Sequence, residues 1–546
     1  MKAKMEYDKL KKIDITMCLK FGLMAGLVLY SVAKTGTPSN LLALIEILAV
    51  YVLGQILPQK IKILSYIISS VLYFLILMNM MVFTFSNSFT TLLMFDNIEN
   101  VSALSTSLPL YISGIVLIAI LALLPTRYGS IKTGYSRAIS VTFIVLFYAA
   151  ATLITRQTPL MAGVNLVENI RLKNQQMAKF RLSPAEKKKI YQKFEKTSFS
   201  DDYPETQKQP NVIVIFTEGL SAKVLDVNNN KDYNLTPNLD ELASESIDFT
   251  NYFNHTAATY RGIRGQLYSA YQYQEGYEDG ISDISKITDT KLQSLPMILG
   301  DNGYTSRFIN AEPYQAVFSK YLSTLGFDKV ISNKKKLVSS THYLPDKDNY
   351  NLVFKTAKQL SKSSKPFFIS TYTYETHVGL NTKVKYGDGS NEYLNKFHNM
   401  DASFGEFYKK FKNSDLAKNT ILVFTTDHAT YPDPEYVKLF DDPRDVFISQ
   451  IPLLIKYPNA PGQRLDMKGR NSLDLAPTVL DMVGINSGKN YFLGTTLFGE
   501  QKSNLENLTY IAGVPSTTDD GDVKAIPVNS TLGKEALEYS KISFNN

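Results

Sequence analysis

Two short apolar runs end in side chains that bind metal ions: NVIVIFTE closes on Glu218, and ILVFTTDH closes on Asp427 and His428. Between them lies HTAATYRGIRG, which carries Thr259. Glu, Thr, Asp and His from separate segments are what one divalent cation needs to bind a phosphoester and activate a hydroxyl against it. Thr259 precedes a stretch with helical spacing and is expected at a helix N-cap. That position either only caps the helix or also presents backbone N–H groups and a positive dipole end to a phosphate. Thr256, three residues earlier, is the alternative nucleophile. His255 either orients the nucleophile, binds substrate or is an ordinary surface residue. Asp427 and His428 are neighbours, so both reach one ion only if the backbone turns there; a strand end supplies that turn.

The elements that must position these groups follow from the grammar after Asn211, where short β-branched runs alternate with helical stretches. That pattern predicts an α/β domain with a mostly parallel sheet. NVIVIFTE, PFFISTYTYETH and ILVFTTDH read as continuous apolar strands ending in ligand-type side chains. Sites in such sheets form beyond the carboxyl ends of strands, so Glu218, His377, Asp427 and His428 converge on one edge. TPNLDELA, with Thr236 and Pro237, opens a surface helix. Residues 156–210 read as one or two amphipathic helices and a linker, and residues 211–546 as the catalytic domain.

Residues 1–155 have a different character. Five apolar stretches, Ile13 to Ala33, Leu41 to Leu57, Ile63 to Phe85, Leu108 to Leu124 and Ala138 to Ile154, are each near the ~20 residues that cross hydrocarbon. Asp14 and Lys20 weaken the first, where Lys20 can snorkel to the headgroups and a cleaved signal peptide is the rival reading. Lys2, Lys4, Lys9, Lys11, Lys12, Lys60, Lys62, Arg127, Lys132 and Arg137 fall on one side and Lys34 on the other. The N-terminus is therefore expected in the cytoplasm, and everything after the fifth span outside. Glu46 and Asn79 are polar within the second and third spans: either functional intramembrane groups, or residues near the outer interface or paired within the bundle. The loop from Ser86 to Ser107 is expected along the membrane surface. Cys18 is the one cysteine, so the exported part contains no disulfide and rests on its core. A net charge of +7, partly cytoplasmic lysine, implies no nucleic-acid partner and suits anionic lipid.

NVIVIFTEGLS, LTPNLDELASESIDFTNYF, TYRGIRGQL, LPMILGDNGYTSRF, TYETHVGL, TTDHAT and NSLDLAPTVLDMVGI resemble, in that order, the sulfatase-like branch of the alkaline phosphatase superfamily. With five spans ahead of an exported head, the whole chain is similar to lipoteichoic acid synthase and related phosphoglycerol transferases. The resemblance implies that Glu218, Thr259, Asp427 and His428 hold one metal, with Thr259 as nucleophile. His377 matches the histidine that contacts the substrate phosphate, and Arg261 either neutralises phosphate charge or faces solvent. The family's Trp, Arg and further His that hold glycerol phosphate have no match: the chain contains no Trp, and after GYTSRF it offers Asn310, Glu312 and Lys320.

These readings converge on a multi-pass enzyme of a bacterial cell membrane with an extracytoplasmic catalytic domain. It would move phosphoglycerol from phosphatidylglycerol, through a phosphothreonine, to a hydroxyl of a cell-envelope glycan or polyglycerolphosphate. The oxygen-rich ligand set suits Mn²⁺, with Mg²⁺ or Zn²⁺ as alternatives. A phosphoethanolamine transferase would share the site. A sulfatase proper needs a Cys or Ser convertible to formylglycine, which Thr259 cannot become. From another class, a catalytically silent protein could keep the fold and bind a cell-wall polymer.

Overall fold

The computed structural model describes residues 15–56, 62–86, 88–91, 94, 108–126, 134–154, 158–179, 183–199, 209–271, 292–313, 316–332, 343–380, 382, 384–444, 447–500, 505, 507–511, 514–527 and 529–543. The chain divides into two compact units, residues 1–174 with 432–437, and residues 175–431 with 438–546.

The first unit is helical: α1 (Ile15–Thr35), α2 (Leu42–Ile56), α3 (Lys62–Ser86), α4 (Leu108–Leu123), α5 (Gly134–Ile154) and α6 (Pro159–Lys179). Each of the five expected apolar stretches thus contains a helix. Among the described residues three of them, not five, are long and apolar enough to cross a membrane: α1, Pro38–Ile56 and α3. The apolar helices Pro109–Leu123 and Ala138–Phe147 are shorter. The expectations for 86–107 and for most loop cations lie largely outside the described residues.

Charges buried among these helices are paired with helix ends of opposite sign. Lys20 is buried, and its Nζ donates to the carbonyls of Ala122 (2.9 Å) and Leu124 (2.8 Å) and to Thr126 Oγ1 (2.8 Å). It caps the negative end of α4. Glu46 does the converse for α6, accepting from the Leu160 N–H (3.1 Å to Oε2) and from the Thr158 hydroxyl. Asn79 accepts from the Thr90 N–H at 3.0 Å and donates to the Leu75 carbonyl at 3.1 Å. Both polar groups flagged within the spans are therefore paired within the bundle.

The second unit opens with α7 (Pro184–Phe194), whose start is fixed by a capping box between Ser183 and Glu186. Strand β1 (Lys196–Ser198) pairs with Ser487–Asn490. The central sheet comprises β2 (Asn211–Thr217), β3 (Ile247–Thr250), β4 (Thr305–Ile309), β5 (Lys329–Ile331), β6 (Phe367–Tyr372), β7 (Thr420–Thr426), β8 (Leu454–Lys456) and β9 (Gln463–Asp466), in the order β5-β4-β6-β2-β7-β8-β3-β9. All pairings are parallel except those of β8, so the expected mostly parallel sheet is found. Strands β2, β6 and β7 are buried on both faces, which is why they read as unbroken apolar runs. The tail, uninformative as sequence, forms a small antiparallel sheet over Leu508–Ile511, Val514–Thr517 and Lys524–Ala525, and a helix over Thr531–Ser540.

Because Glu46 supplies the anion at the start of α6, Glu46→Ala should destabilise the helical unit by about 1.5–3 kcal/mol, the range for a buried charged hydrogen bond. Thermal inactivation of the solubilised full chain would fall accordingly, and Glu46→Gln should recover part of the loss. An unchanged midpoint for both variants would remove Glu46 from the joint.

Candidate metal centre

The register of β2 on β7 sets the site. Thr217 stands opposite Thr426, so Glu218 and Asp427, one residue beyond, leave adjacent strands side by side. Adjacent strands are about 4.8 Å apart. Both carboxylates are buried, Asp427 completely. Asp427 Oδ1 is saturated by the Gly219 N–H at 2.9 Å and the His428 N–H at 2.7 Å. Its Oδ2 accepts no hydrogen bond and lies 3.5 Å from His428 Nε2. The same Nε2 is 3.5 Å from Glu218 Oε1. The chain does turn after β7: the His428 carbonyl accepts from the Leu220 N–H at 3.0 Å and from Thr426 Oγ1 at 2.8 Å.

One ligand atom each from Glu218, Asp427 and His428 lies within 4.8 Å of the others. His428 Nδ1 faces the Ala429 carbonyl at 2.8 Å, so Nδ1 carries the proton and Nε2 offers its lone pair to the cluster. Burial, and next the charge of Asp427, hold the Glu218 carboxyl well above the usual range. An unpartnered buried carboxylate oxygen, a second carboxylate beside it and an aimed imidazole fit a divalent cation.

Thr259 completes the group. It is half-buried, and its Oγ1 donates to Glu218 Oε2 at 2.9 Å. The N-cap of its helix, α9 (Thr259–Tyr268) when the surface helix α8 (Pro237–Ser244) is counted, is Ala258, one residue earlier than expected. The Thr259 hydroxyl is turned to Glu218, and the helix start carries no side-chain cap. Ala258 has φ +75 and ψ 135, a region nearly confined to glycine, at a cost of about 1–3 kcal/mol. The close seating of α9 depends on two glycines. A Cβ on Gly262 would lie 2.1 Å from the Asp427 carbonyl oxygen, and one on Gly265 1.9 Å from His255 Nε2. Gln266 Nε2 adds a 2.8 Å hydrogen bond to the Thr426 carbonyl.

The other expected residues are distributed unevenly. His377 lies past β6, with Nδ1 bonded to the Val378 carbonyl at 2.8 Å and its ring stacked on Tyr374. Burial lowers its pKa, and the charges of His428 and Asp427 are felt there. His255 is not a surface residue: it is buried, with Nδ1 2.6 Å from Ser472 Oγ, and burial takes its pKa to about 3. Its ring is held beneath Gly265 rather than beside the carboxylates. Thr256 Oγ1 is committed to the Tyr510 carbonyl at 2.8 Å, whereas the Thr259 hydroxyl meets Glu218. Arg261 is buried, not solvent-facing. Lys320 is exposed; its neighbour Tyr321 instead reaches inward, donating to the Tyr260 carbonyl at 2.8 Å.

Sequence reasoning missed two groups. Thr376 donates its hydroxyl to the Glu218 carbonyl, tying the β6 loop to the turn after β2. Lys396, on the helix Glu392–Lys412, is buried, and its charge is felt at His377. The signal was available: Asn395, Lys396 and Asn399 interrupt the buried face of that helix with polar residues.

A family model described as Sulfatase matches residues 210–485. Lipoteichoic acid synthase 1 of Bacillus subtilis (strain 168) is 24% identical over 332 residues, 55% of this chain and 50% of that protein. Phosphoglycerol transferase I of Escherichia coli (strain 55989 / EAEC) is 26% identical over 315 residues, 54% of this chain and 40% of that protein. The chain thus spans about half the length of the curated relatives it matches. A solved alkaline phosphatase superfamily protein from Vibrio parahaemolyticus superposes with a TM-score of 0.51 at 19% identity, covering 67% of this chain and 95% of that one, a likeness of fold.

Calorimetric titration of the full chain with Mn²⁺ should give one site, weakened at least about a hundredfold by Asp427→Asn. Since burial and the charge of Asp427 raise the Glu218 carboxyl, proton and cation compete for it, and binding should release protons and tighten as pH rises. pH-independent affinity would contradict this. Gly262→Ala should cost about 1–3 kcal/mol in thermal unfolding, because backbone meets backbone there; an unchanged midpoint would show that α9 is seated loosely.

Proposed function

We propose that this chain, which belongs to the sulfatase family, is a membrane-anchored, metal-dependent phosphoglycerol transferase acting on phosphatidylglycerol. The observation that carries the reading is the hydrogen bond from Thr259 to Glu218 within the Glu218, Asp427 and His428 group. A hydroxyl is held where a nucleophile belongs, on a residue type that cannot become formylglycine. The lipoteichoic acid synthase and phosphoglycerol transferase relatives support the substrate class.

Glu218, Asp427, His428 and Thr259 would hold the cation, Mn²⁺ in the first instance, which when bound lowers the pKa of the Thr259 hydroxyl and offsets phosphate charge. Thr259 Oγ1 attacks the headgroup phosphorus. The new bond is Thr259 O–P, the bond broken joins phosphorus to the diacylglycerol oxygen, and the proton lost by Thr259 is balanced by the one diacylglycerol gains. His377 binds a phosphate oxygen, and the uncapped start of α9 presents its positive end. An acceptor hydroxyl of a cell-envelope glycan or polyglycerolphosphate then displaces Thr259, which recovers its proton.

The N-terminal helices tether the enzyme to the membrane. Five crossings with a cytoplasmic N-terminus and an extracytoplasmic catalytic unit remain the preferred arrangement. Lys20, early in α1, meets the end of α4, and Glu46, early in α2, meets the start of α6, which supports antiparallel alternation.

Intact-mass analysis of the full chain in phosphatidylglycerol liposomes with Mn²⁺ and no acceptor should show one phosphoglycerol adduct. Thr259→Ala should acquire none; equal labelling of both proteins would remove Thr259 as nucleophile. An adduct of phosphoethanolamine mass from phosphatidylethanolamine alone would favour the alternative donor.

A further inference from the structure

The turn that carries His377 is held from a neighbouring helix by a buried pair of acids. Asp346 opens the helix Asp346–Leu360, whose N-cap is Pro345 and whose start carries no side-chain cap. An aspartate in a first turn ordinarily serves its own helix. This one reaches across to the end of β6 instead: its Oδ1 accepts the Tyr374 N–H at 2.9 Å and the Glu375 N–H at 3.2 Å. The same turn is closed by the His377 N–H on the Tyr374 carbonyl at 3.1 Å, and the Tyr374 ring stacks on the His377 ring. Glu375 returns the bond, its Oε2 accepting the Asp346 N–H at 3.0 Å and Asn399 Nδ2 at 3.1 Å. Helix and turn are thus locked reciprocally. The seating of the helix does not depend on this lock, because Asn349, three residues on, accepts from Thr371 Oγ1 at 2.8 Å and donates to the Tyr372 carbonyl. What Asp346 adds is the placement of residues 374–377.

The surroundings of Asp346 decide the form in which it works. It is completely buried, and among the described residues its second oxygen, Oδ2, accepts no hydrogen bond. The titratable groups that face it are Glu375, Tyr343 and Tyr350. Its chain neighbour Lys347 is exposed and pairs with Glu406 at 2.7 Å. An anion at Asp346 would therefore stand beside a like charge with no cation opposite. A neutral acid keeps the oxygen that the two N–H groups need and sheds the charge. Burial, and next the Glu375 charge, raise the Asp346 carboxyl to about 8, in agreement with that form.

We propose that Asp346 is a positioning residue for phosphate binding, that it acts through His377 by fixing the turn between Tyr374 and His377, and that it does so as a neutral acid rather than a carboxylate. This rests on the reading of His377 as a phosphate ligand given above.

The test is calorimetric binding of methyl phosphate to the Mn²⁺-loaded full chain near neutral pH, which involves no donor lipid and so stands even if the phosphoglycerol reading fails. Asp346→Ala should weaken methyl phosphate about tenfold by misplacing His377, while Mn²⁺ affinity changes less than about twofold. Asp346→Asn, which keeps the acceptor oxygen without the charge, should bind within about threefold of the parent. In a His377→Ala background Asp346→Ala should cost less than about twofold more, because a residue that acts through another has no further effect once that other is gone. Asp346→Ser repeats these comparisons should the alanine variant not fold. Damage from Asp346→Asn equal to that from Asp346→Ala would overturn the neutral acid. An equal loss from Asp346→Ala with and without His377 would overturn the route through His377, and an equal loss of Mn²⁺ affinity would show a general collapse of the site and overturn the assignment. Unchanged binding in His377→Ala alone would remove His377 as a phosphate ligand, and the role of Asp346 with it.

Discussion

Two buried carboxylates side by side are the constraint on which the second unit depends. Glu218 and Asp427 leave neighbouring parallel strands in register, and one oxygen of Asp427 has no hydrogen-bond donor. Like charges out of water cannot both remain ionised without a cation between them or a proton on one. The Asp427 backbone contacts, the aim of His428 and the Thr259 hydroxyl bond all arrange themselves around that demand.

The surrounding structure accepts strain to meet it. Ala258 adopts a glycine-like conformation, and α9 is pressed onto the end of β7 so closely that Gly262 has no room for a methyl group. Both features hold one threonine against one glutamate. The membrane unit follows the same electrostatic rule in different surroundings: Lys20 sits at a carbonyl end of a helix, and Glu46 at an N–H end. In each unit, a charge that is costly to bury is matched to a fixed partner.

How much of this was legible in the sequence differs from residue to residue. Glu218, Asp427 and His428 could be read because each ends an apolar run, and a parallel sheet places such ends on one edge. Thr259 could be read as near a helix start, but not Ala258 as the cap, because propensity does not anticipate a non-glycine residue at positive φ. His255 looked like a site residue from its spacing to Thr259; its burial beneath Gly265 comes from packing between segments far apart in the chain. The role of the tail was invisible for the same reason: Tyr510 meets His255 and Thr256 only in the folded chain. Apolar length located five helices, but did not give the three that, among the described residues, are long and apolar enough to span.

Anomalous diffraction at the manganese edge, from crystals of the protein grown with Mn²⁺, addresses the central claim without recourse to activity. The account predicts a single strong peak bonded to Glu218, Asp427, His428 and Thr259 Oγ1 together. A peak elsewhere, or an ion held by the two carboxylates with Thr259 turned away, would contradict it.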